Sequence, residues 1–191
     1  MFLRGNITVM KVLIFEGVAT SGKSTVISSL QKALPDLRVV VSGESETHEP
    51  IMDERADKHI VFFKKLISRL ASEKPDLIIF DRLYLTQAFR AKCNISDYSE
   101  IEELLSKYTP LTIFLKVDED TVEDRISKAS EHRESDYFKF RGTPKERAQY
   151  YIYQQRHLLK LLGHSTLPHE VIDTTDHNYE SVIEKVVTFI K

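Results

Sequence analysis

A glycine-rich stretch between an apolar run and a helical pattern constrains this chain more than any other feature. Residues 17–24 read GVATSGKS and fit the spacing G-x-x-x-x-G-K-[ST]. They follow the apolar run KVLIFE and open the helical pattern KSTVISSLQKAL. Glycines let backbone N–H groups wrap a phosphate chain, and a helix N-terminus adds partial positive charge. An ordinary glycine turn would not need all four fixed positions, so the stretch predicts a phosphate-binding loop.

The side chains of this loop have separate predicted roles. Lys23 would reach the β and γ phosphates, the Ser24 hydroxyl would ligate Mg²⁺, and Thr25 would support the α-phosphate side. ATP and Mg²⁺ are therefore the expected cofactors. The loop residues expected to bind the nucleotide are Gly17, Val18, Ala19, Thr20, Ser21, Gly22, Lys23, Ser24 and Thr25.

Five short apolar runs predict the strands of one sheet. They span residues 11–17, 37–43, 76–81, 111–117 and 170–173. The first four are continuous in Val, Ile, Leu and Phe without polar alternation, which is typical of parallel strands buried on both faces. Helical patterns lie between them, at 57–71 and 145–163 for example. The alternation predicts an α/β three-layer sandwich with a central parallel five-stranded sheet, formed by residues 1–191 as one domain.

Capping signals agree with these boundaries. Thr143, Pro144 and Glu146 stand at the N-cap, first and third positions of a helix start. Asp118 is expected to cap the helix after the fourth strand, and either Asp176 or Asn178 the last helix.

Charge and cysteine content narrow the function classes. The formal net charge is −2 and Cys93 is the only cysteine, so neither bulk binding to nucleic acid nor an internal disulfide is expected. The chain shows neither a signal peptide nor an apolar run of membrane-spanning length. We expect a cytoplasmic protein with no nucleic-acid or membrane partner.

A carboxylate at the end of the third strand supports the phosphate loop. Asp81 ends the run DLIIFD and would emerge at the carboxyl edge of the sheet, beside the loop if the two strands are neighbours. A carboxylate there can hold a magnesium-bound water. The alternative is that Asp81 only caps the next helix.

Three segments together resemble a known family. LIFEGVATSGKST, DRLYLTQAF and VIDTTDHNYESVIEKV occur in the order found in the thymidylate kinase and deoxynucleoside kinase branch of the P-loop kinases. The resemblance implies the P-loop kinase fold, a homodimer, and a role for Arg82 in contacting the acceptor phosphate or the transferring phosphoryl group. The chain departs from thymidylate kinases at Ala19 and His48, where those enzymes usually carry Asp and Arg, and from nucleoside kinases at Asp81, where Glu is common.

The resemblance also points to an acceptor residue. HEP at 48–50 matches the Glu-Pro of the family, in which the nucleoside kinases use the glutamate as the base for the 5′-hydroxyl. Glu49 is therefore the expected acceptor-binding residue, with Glu44 and Glu46 as competitors. The alternative is that Glu49 is a surface loop glutamate that precedes a proline. A hydroxyl nucleophile needs such a base, whereas a phosphate acceptor is already anionic.

A basic segment resembles the lid that closes over the phosphates in these kinases. It covers residues 125–147, with the lid itself at about 128–144, and is rich in Arg and Lys. Arg125 and Arg133 are the first choices for cations on the phosphates, Arg133 as a catalytic residue and Arg125 as a nucleotide-binding one. The alternative is a solvated charged loop, because acidic residues are interspersed.

These observations lead to one predicted function with two alternatives. We expect a nucleoside monophosphate kinase that transfers the γ-phosphoryl group of ATP to a deoxynucleoside monophosphate. Its predicted catalytic residues are Lys23, Asp81, Arg82 and Arg133, its acceptor ligands Glu49 and Arg82, and its metal ligands Ser24 and Asp81. The alternatives are a deoxynucleoside kinase and a P-loop ATPase without a nucleotide acceptor.

Overall fold

The computed structural model describes residues 10–51, 54–132 and 142–190. Within them, a parallel sheet has the strand order β2-β3-β1-β4-β5. Its strands are Lys11–Glu16 (β1), Val39–Ser42 (β2), Leu77–Asp81 (β3), Thr109–Lys116 (β4) and His169–Asp173 (β5). The predicted α/β class and five-stranded parallel sheet are confirmed, with strand ends shifted by one or two residues.

Helices connect the strands and cover the sheet. Those of the described residues are Lys23–Ala33 (α1), Glu44–Thr47 (α2), Ala56–Ser72 (α3), Tyr84–Ala91 (α4), Ser99–Leu105 (α5), Val122–His132 (α6), Pro144–Leu162 (α7) and Tyr179–Ile190 (α8). Short 3₁₀ turns occur at Glu49–Ile51, Ile95–Tyr98 and Glu119–Thr121. None of the helices in the described part of the chain combines the length and hydropathy that crossing a membrane requires.

Each face of the sheet carries its own hydrophobic cluster, because alternate side chains of a strand point to opposite faces. Leu13 and Phe15 pack with α1 and α8 on one face, and Val12 and Ile14 pack with α3, α4, α5 and α7 on the other. Burial on both faces holds for β1, β3 and β4. The expectation is wrong for β2, whose valines are only half-buried because β2 is the edge strand of the described sheet and pairs there with β3 alone.

The helix starts follow the capping signals. Thr143 and Glu146 form the predicted capping box at α7, and the Asn178 side chain, rather than that of Asp176, accepts a bond from Ser181 N at 3.4 Å at the start of α8. Asp118 caps the 3₁₀ turn Glu119–Thr121 instead of α6 itself. The parallel order brings all carboxyl ends of the strands to one edge, which is where ligands bind in such sheets.

Candidate active site

The loop after β1 adopts, at two points, a backbone conformation that favours glycine. Gly17 has φ 142° and Gly22 has φ 95°. A β-carbon on Gly17 would lie 2.6 Å from the Leu115 carbonyl oxygen, and one on Gly22 would lie 2.2 Å from Cε1 of Tyr179. The loop backbone therefore packs directly against β4 and α8. Strand, loop and helix follow one another in the predicted order, since α1 begins at Lys23.

Lys23 lies buried above this loop. Its Nζ donates to the carbonyl oxygens of Gly17 and Val18 at 3.1 and 3.2 Å. Burial, and then the charge of Arg82, lower the pKa of Lys23 to about 8. Within the described part of the chain these neutral carbonyls are the hydrogen-bond acceptors of the buried ammonium, and an anion placed beside it would stabilise its charge. The geometry therefore suits the phosphate role predicted for Lys23.

Asp81 ends β3 directly beside the loop, because β3 pairs with β1 and Asp81 is in register with Phe15. Its Oδ1 is buried and accepts no hydrogen bond. Burial raises the pKa of Asp81 against the opposing charge of Lys23. The side chain thus lies at the carboxyl edge of the sheet, as the sequence predicts, and the structure adds that Oδ1 has no hydrogen-bond partner there.

Asp81 and Ser24 fit a magnesium ion of the kind found in phosphate-transfer sites. The Ser24 hydroxyl is exposed on the first turn of α1, and the buried Oδ1 of Asp81 needs a partner. No group of three or more His, Cys, Asp or Glu side chains suited to a metal occurs among residues 10–51, 54–132 and 142–190. Mg²⁺ does not require one, since it is usually held by one or two protein ligands, waters and substrate phosphates.

Arg82 is held rigidly at the same edge. It has φ 68°, its N–H donates to the Phe15 carbonyl at 2.9 Å, and its Nη1 lies 3.3 Å from Thr86 Oγ1. Its Nε donates to the carboxylate of Glu44. The side chain is buried, so water screens little of its charge from a group that lies between β3 and the loop.

Glu16 anchors the start of α4 to β1. Its carboxylate accepts bonds from Leu83 N at 2.9 Å and from Thr86 Oγ1 at 2.6 Å. Complete burial raises the pKa of Glu16 despite these bonds. Because Arg82 and Thr86 belong to the turn that Glu16 holds, this carboxylate positions Arg82.

The structure places the three candidate acceptor glutamates very differently. Glu44 is half-buried, pairs with Arg82, and keeps a lowered pKa because Arg82 and Lys23 outweigh the effect of burial. Glu46 points away, accepting from Ser42 Oγ at 2.7 Å and pairing with Arg69. Glu49 is exposed on the 3₁₀ turn Glu49–Ile51. The described site thus brings Glu44, rather than Glu49, beside Arg82 and Lys23.

The predicted phosphate ligand Arg125 is engaged by backbone carbonyls. Its guanidinium donates to Thr20 O and Thr175 O, each at 2.9 Å, and to Thr174 O. The Thr174 hydroxyl in turn donates to Ser21 O at 2.9 Å. Arg125 therefore joins the phosphate loop to the segment after β5, and its side chain is buried in doing so.

The predicted lid falls mostly outside the described residues. Arg133, its predicted catalytic cation, lies in the gap between 132 and 142. At the near end of the segment, Lys128 pairs with Asp124 within α6 at 2.7 Å. The charge of this one lysine is thus paired with an acidic side chain of its own helix.

Three residues that the sequence did not single out as ligands also lie here. His48 Nε2, Gln87 Oε1 and Arg90 Nη1 are buried without a hydrogen-bond partner. On α4, Arg90 follows Thr86 by four residues and Gln87 by three, so Arg90 shares a helix face with each of them. Polar residues at this spacing in an otherwise apolar helix are the sequence signal that identifies such a face.

Comparison with solved structures identifies the fold. No family model matches the sequence, and no curated protein matches it. YorR from Bacillus subtilis, solved in complex with phosphorylated GDP, superposes with a TM-score of 0.63 at 17% identity, covering 94% of this chain and 95% of YorR. The chain has the fold of the P-loop kinases.

Two further structures share this fold. Polyphosphate kinase 2 from Arthrobacter aurescens has a TM-score of 0.64 at 13% identity, covering 95% of this chain and 68% of that one. Deoxyadenosine kinase from M. mycoides, solved with bound dATP, has a TM-score of 0.52 at 19% identity, covering 93% and 99%. Identities this low establish common architecture, so the acceptor has to be argued from this chain's own residues.

Proposed function

We propose that the protein is an ATP- and Mg²⁺-dependent kinase that phosphorylates a deoxynucleoside monophosphate. The observation that carries the proposal is the arrangement of Lys23, Asp81 and Arg82. The three side chains meet at the carboxyl edge of β1 and β3. The charges of Asp81 and Arg82 both shift the pKa of Lys23, as expected of groups that lie close to it. Two structural neighbours support the kinase class: one is a deoxyadenosine kinase with bound dATP, and the other is YorR in complex with phosphorylated GDP.

The donor half of the site would hold ATP by its phosphates. The N–H groups of the loop and of the first turn of α1 would cradle the phosphate chain, with Lys23 against the β and γ groups. Ser24 and Asp81 would hold Mg²⁺, which supplies neutralising charge to the phosphates. In the transfer, the bond between the γ phosphorus and the bridging oxygen of ADP breaks, and one to an acceptor oxygen forms. Arg82 would stabilise charge on the transferring group.

The acceptor is assigned from the state of Glu44. Pairing with Arg82 and proximity to Lys23 lower the pKa of Glu44 below its usual value. A general base works best with a pKa near the working pH, so a carboxylate held below its usual pKa is a weak base. A monophosphate needs no base, because its oxygens are already anionic. Arg82 would bind the acceptor phosphate, with Glu44 orienting the guanidinium.

A nucleoside kinase is the second candidate, and the position of Glu44 is the observation that favours it. This carboxylate lies beside Arg82 and within electrostatic reach of Lys23, at the edge where the phosphoryl group would be transferred. A carboxylate there could take the proton of a 5′-hydroxyl. Glu49 is too exposed to be the first choice for that role.

One experiment separates these functions. ADP release would be measured with ATP and Mg²⁺ against deoxynucleosides and their monophosphates, for wild type and for Glu44→Gln. Glu49→Gln serves as the exposed control. We expect turnover with a monophosphate, retained within about tenfold in Glu44→Gln, because no general base is lost.

The other outcomes reject the proposal in different ways. Turnover with nucleosides alone, falling about 10²- to 10⁴-fold in Glu44→Gln, would assign a nucleoside kinase with Glu44 as base. ADP release that no acceptor stimulates would leave a P-loop ATPase.

A further inference from the structure

Next to Arg82 and Glu44 lies a set of buried polar atoms that the phosphate chemistry does not use. His48 is 1% exposed and Gln87 is 0% exposed, and His48 Nε2 and Gln87 Oε1 have no hydrogen-bond partner. Arg90 Nη1, on the same helix as Gln87, is likewise buried and unpartnered. Leaving such groups unpaired costs folding free energy. A ligand that supplies the missing partners would recover that cost on binding.

These three residues form one patch, which we call the polar patch. The side-chain amide of Gln87 donates to the His48 carbonyl at 3.4 Å. Gln87 and Arg90 are three residues apart on α4 and share a face. Arg90 is also the charged group with the largest influence on the His48 ring, and it lies within reach of Glu44. The polar patch therefore borders the acceptor side of the site.

The hydrogen-bonding character of each atom follows from its neighbours. Gln87 uses its NH₂ on a carbonyl, so Oε1 is the free end and can only accept. Arg90 Nη1 can only donate. The polar patch thus presents at least one acceptor and one donor to a ligand.

The tautomer of His48 fixes the third atom. The Thr47 hydroxyl lies 3.1 Å from the Gly43 carbonyl oxygen, which can only accept, and 2.7 Å from His48 Nδ1. We assign the hydroxyl proton to that carbonyl, and the hydroxyl oxygen then accepts the N–H of Nδ1. With Nδ1 protonated in a neutral ring, Nε2 is an acceptor. Burial and the nearby cations Arg90, Arg82 and Lys23 hold the pKa of His48 well below its usual value, which agrees with a neutral ring.

We propose that the polar patch binds the base of the acceptor and that it selects guanine. Two acceptors and one donor complement an edge with two donors and one acceptor, which guanine provides through N1–H, the 2-amino group and O6. Adenine offers one donor and one acceptor on that edge, and thymine and cytosine each offer one donor and two acceptors. Arg90 would donate to O6, and Gln87 and His48 would accept the two N–H groups. This inference rests on the proposed function, since it assigns the base of that acceptor.

Access to the polar patch requires a local movement. The three atoms are covered in this structure, so a base reaches them only if the segment from Glu44–Thr47 to Glu49–Ile51 moves away from α4. That segment consists of one short helix and one 3₁₀ turn. Acceptor binding would therefore be coupled to rearrangement of this segment, which also carries Glu44.

The first test compares ligands on the unmodified protein. Equilibrium binding would be measured by calorimetry with the full chain, Mg²⁺ and a saturating non-hydrolysable ATP analogue that blocks the donor site. The ligands are dGMP, dIMP, dTMP, dAMP and dCMP, with the matching nucleosides in a second series. We expect dGMP to bind most tightly, with dIMP, which lacks only the 2-amino group, about tenfold weaker because it leaves His48 Nε2 unpaired.

The second test changes the polar patch. Arg90→Met should weaken dGMP binding by about tenfold or more through loss of the donor to O6. Arg38→Met, the same substitution at an arginine whose side chain is 59% exposed, is the control and should leave binding unchanged. His48→Phe should bring the ratio of dGMP to dIMP affinities close to one, a change that a purely structural role would not produce. Thermal unfolding identifies a variant that fails to fold, in which case the ligand series decides.

The outcomes separate this inference from the proposed activity. Another base binding as tightly as guanine, equal affinity for dIMP and dGMP, or no binding of any base overturns the guanine assignment. If the protein prefers guanine but transfers no phosphoryl group, the kinase proposal is rejected and the guanine-binding role of the polar patch stands. Phosphoryl transfer without guanine preference rejects only the polar patch.

Discussion

Replacing Gly22 by alanine tests whether the shape of the phosphate loop depends on close packing against α8. Gly22 has φ 95°, and a β-carbon there would lie 2.2 Å from Cε1 and 2.6 Å from Cζ of Tyr179. Moving the ring would also break the contact between its hydroxyl and Nδ1 of His177, which lie 3.0 Å apart. Gly43 provides a matched control, since a β-carbon there meets nothing within 4 Å and φ is −85°.

The loss of unfolding free energy expected for Gly22→Ala has a conformational part and a steric part. An L-residue at positive φ costs about 1–2 kcal/mol relative to glycine. Moving the Tyr179 ring out of the way adds about 1–3 kcal/mol, the usual cost of overpacking. Gly22→Ala should therefore lower the free energy of unfolding by about 2–5 kcal/mol. Gly43→Ala should change it by less than about 0.5 kcal/mol.

Urea unfolding of wild type and three variants separates the conformational cost from the steric one. Wild type, Gly22→Ala, Tyr179→Ala and the double variant form a cycle in which the steric part disappears once the ring is removed. We expect the alanine to cost only about 1–2 kcal/mol in the Tyr179→Ala background. Equal costs in both backgrounds would refute the packing argument. An unchanged free energy of unfolding in Gly22→Ala would refute the conformational one as well.

Two further predictions concern buried charges. Because the pKa of Lys23 is about 8, the ammonium is lost as the pH rises, and the Kd for ATP should increase about tenfold per pH unit above 8. Arginine stays charged, so in Lys23→Arg the Kd for ATP should change little from pH 7 to 9.5 when measured by titration calorimetry. An equally steep rise of Kd in this variant would show that Lys23 is not the group that titrates. Glu102 is buried and accepts from Tyr84 Oη at 2.9 Å, Ser165 Oγ at 2.6 Å and Thr166 Oγ1 at 2.7 Å. Glu102→Ala should lower the free energy of unfolding by about 3 kcal/mol. Glu103→Ala, at the exposed neighbouring residue, should lower it by less than about 0.5 kcal/mol. Similar losses for the two variants would contradict the role of this network.

Features set by neighbouring residues were predictable from the sequence. The loop at 17–24, the apolar runs of the strands and the capping box at Thr143 each depend on a few consecutive side chains. The placement of Asp81 at the carboxyl edge also followed, because a buried parallel strand that ends in a carboxylate presents it there. Its position beside the loop depended on β3 pairing with β1, which the structure shows.

The choice among the acceptor glutamates was different. The Glu-Pro pattern pointed to Glu49, but Arg82, 38 residues along the chain from Glu44, selects Glu44 as its partner. The sequence order cannot show that pairing, since it depends on β2 lying next to β3 and on the direction in which α2 leaves β2.

The sequence alone determined that this chain forms a parallel α/β sheet with a phosphate loop at its first strand, because those features are written in local patterns of size, polarity and spacing. Tertiary structure alone decided the partners of the side chains. Arg125 carries the charge expected of a phosphate ligand, yet its guanidinium donates to the carbonyl oxygens of Thr20 and Thr174, which are 105 and 49 residues away in the chain. His48, Gln87 and Arg90 likewise come together only because α2 follows β2, α4 follows β3, and these two strands are paired. Hydrogen bonds act over about 3 Å in space, and no local pattern encodes which distant atoms come within that range.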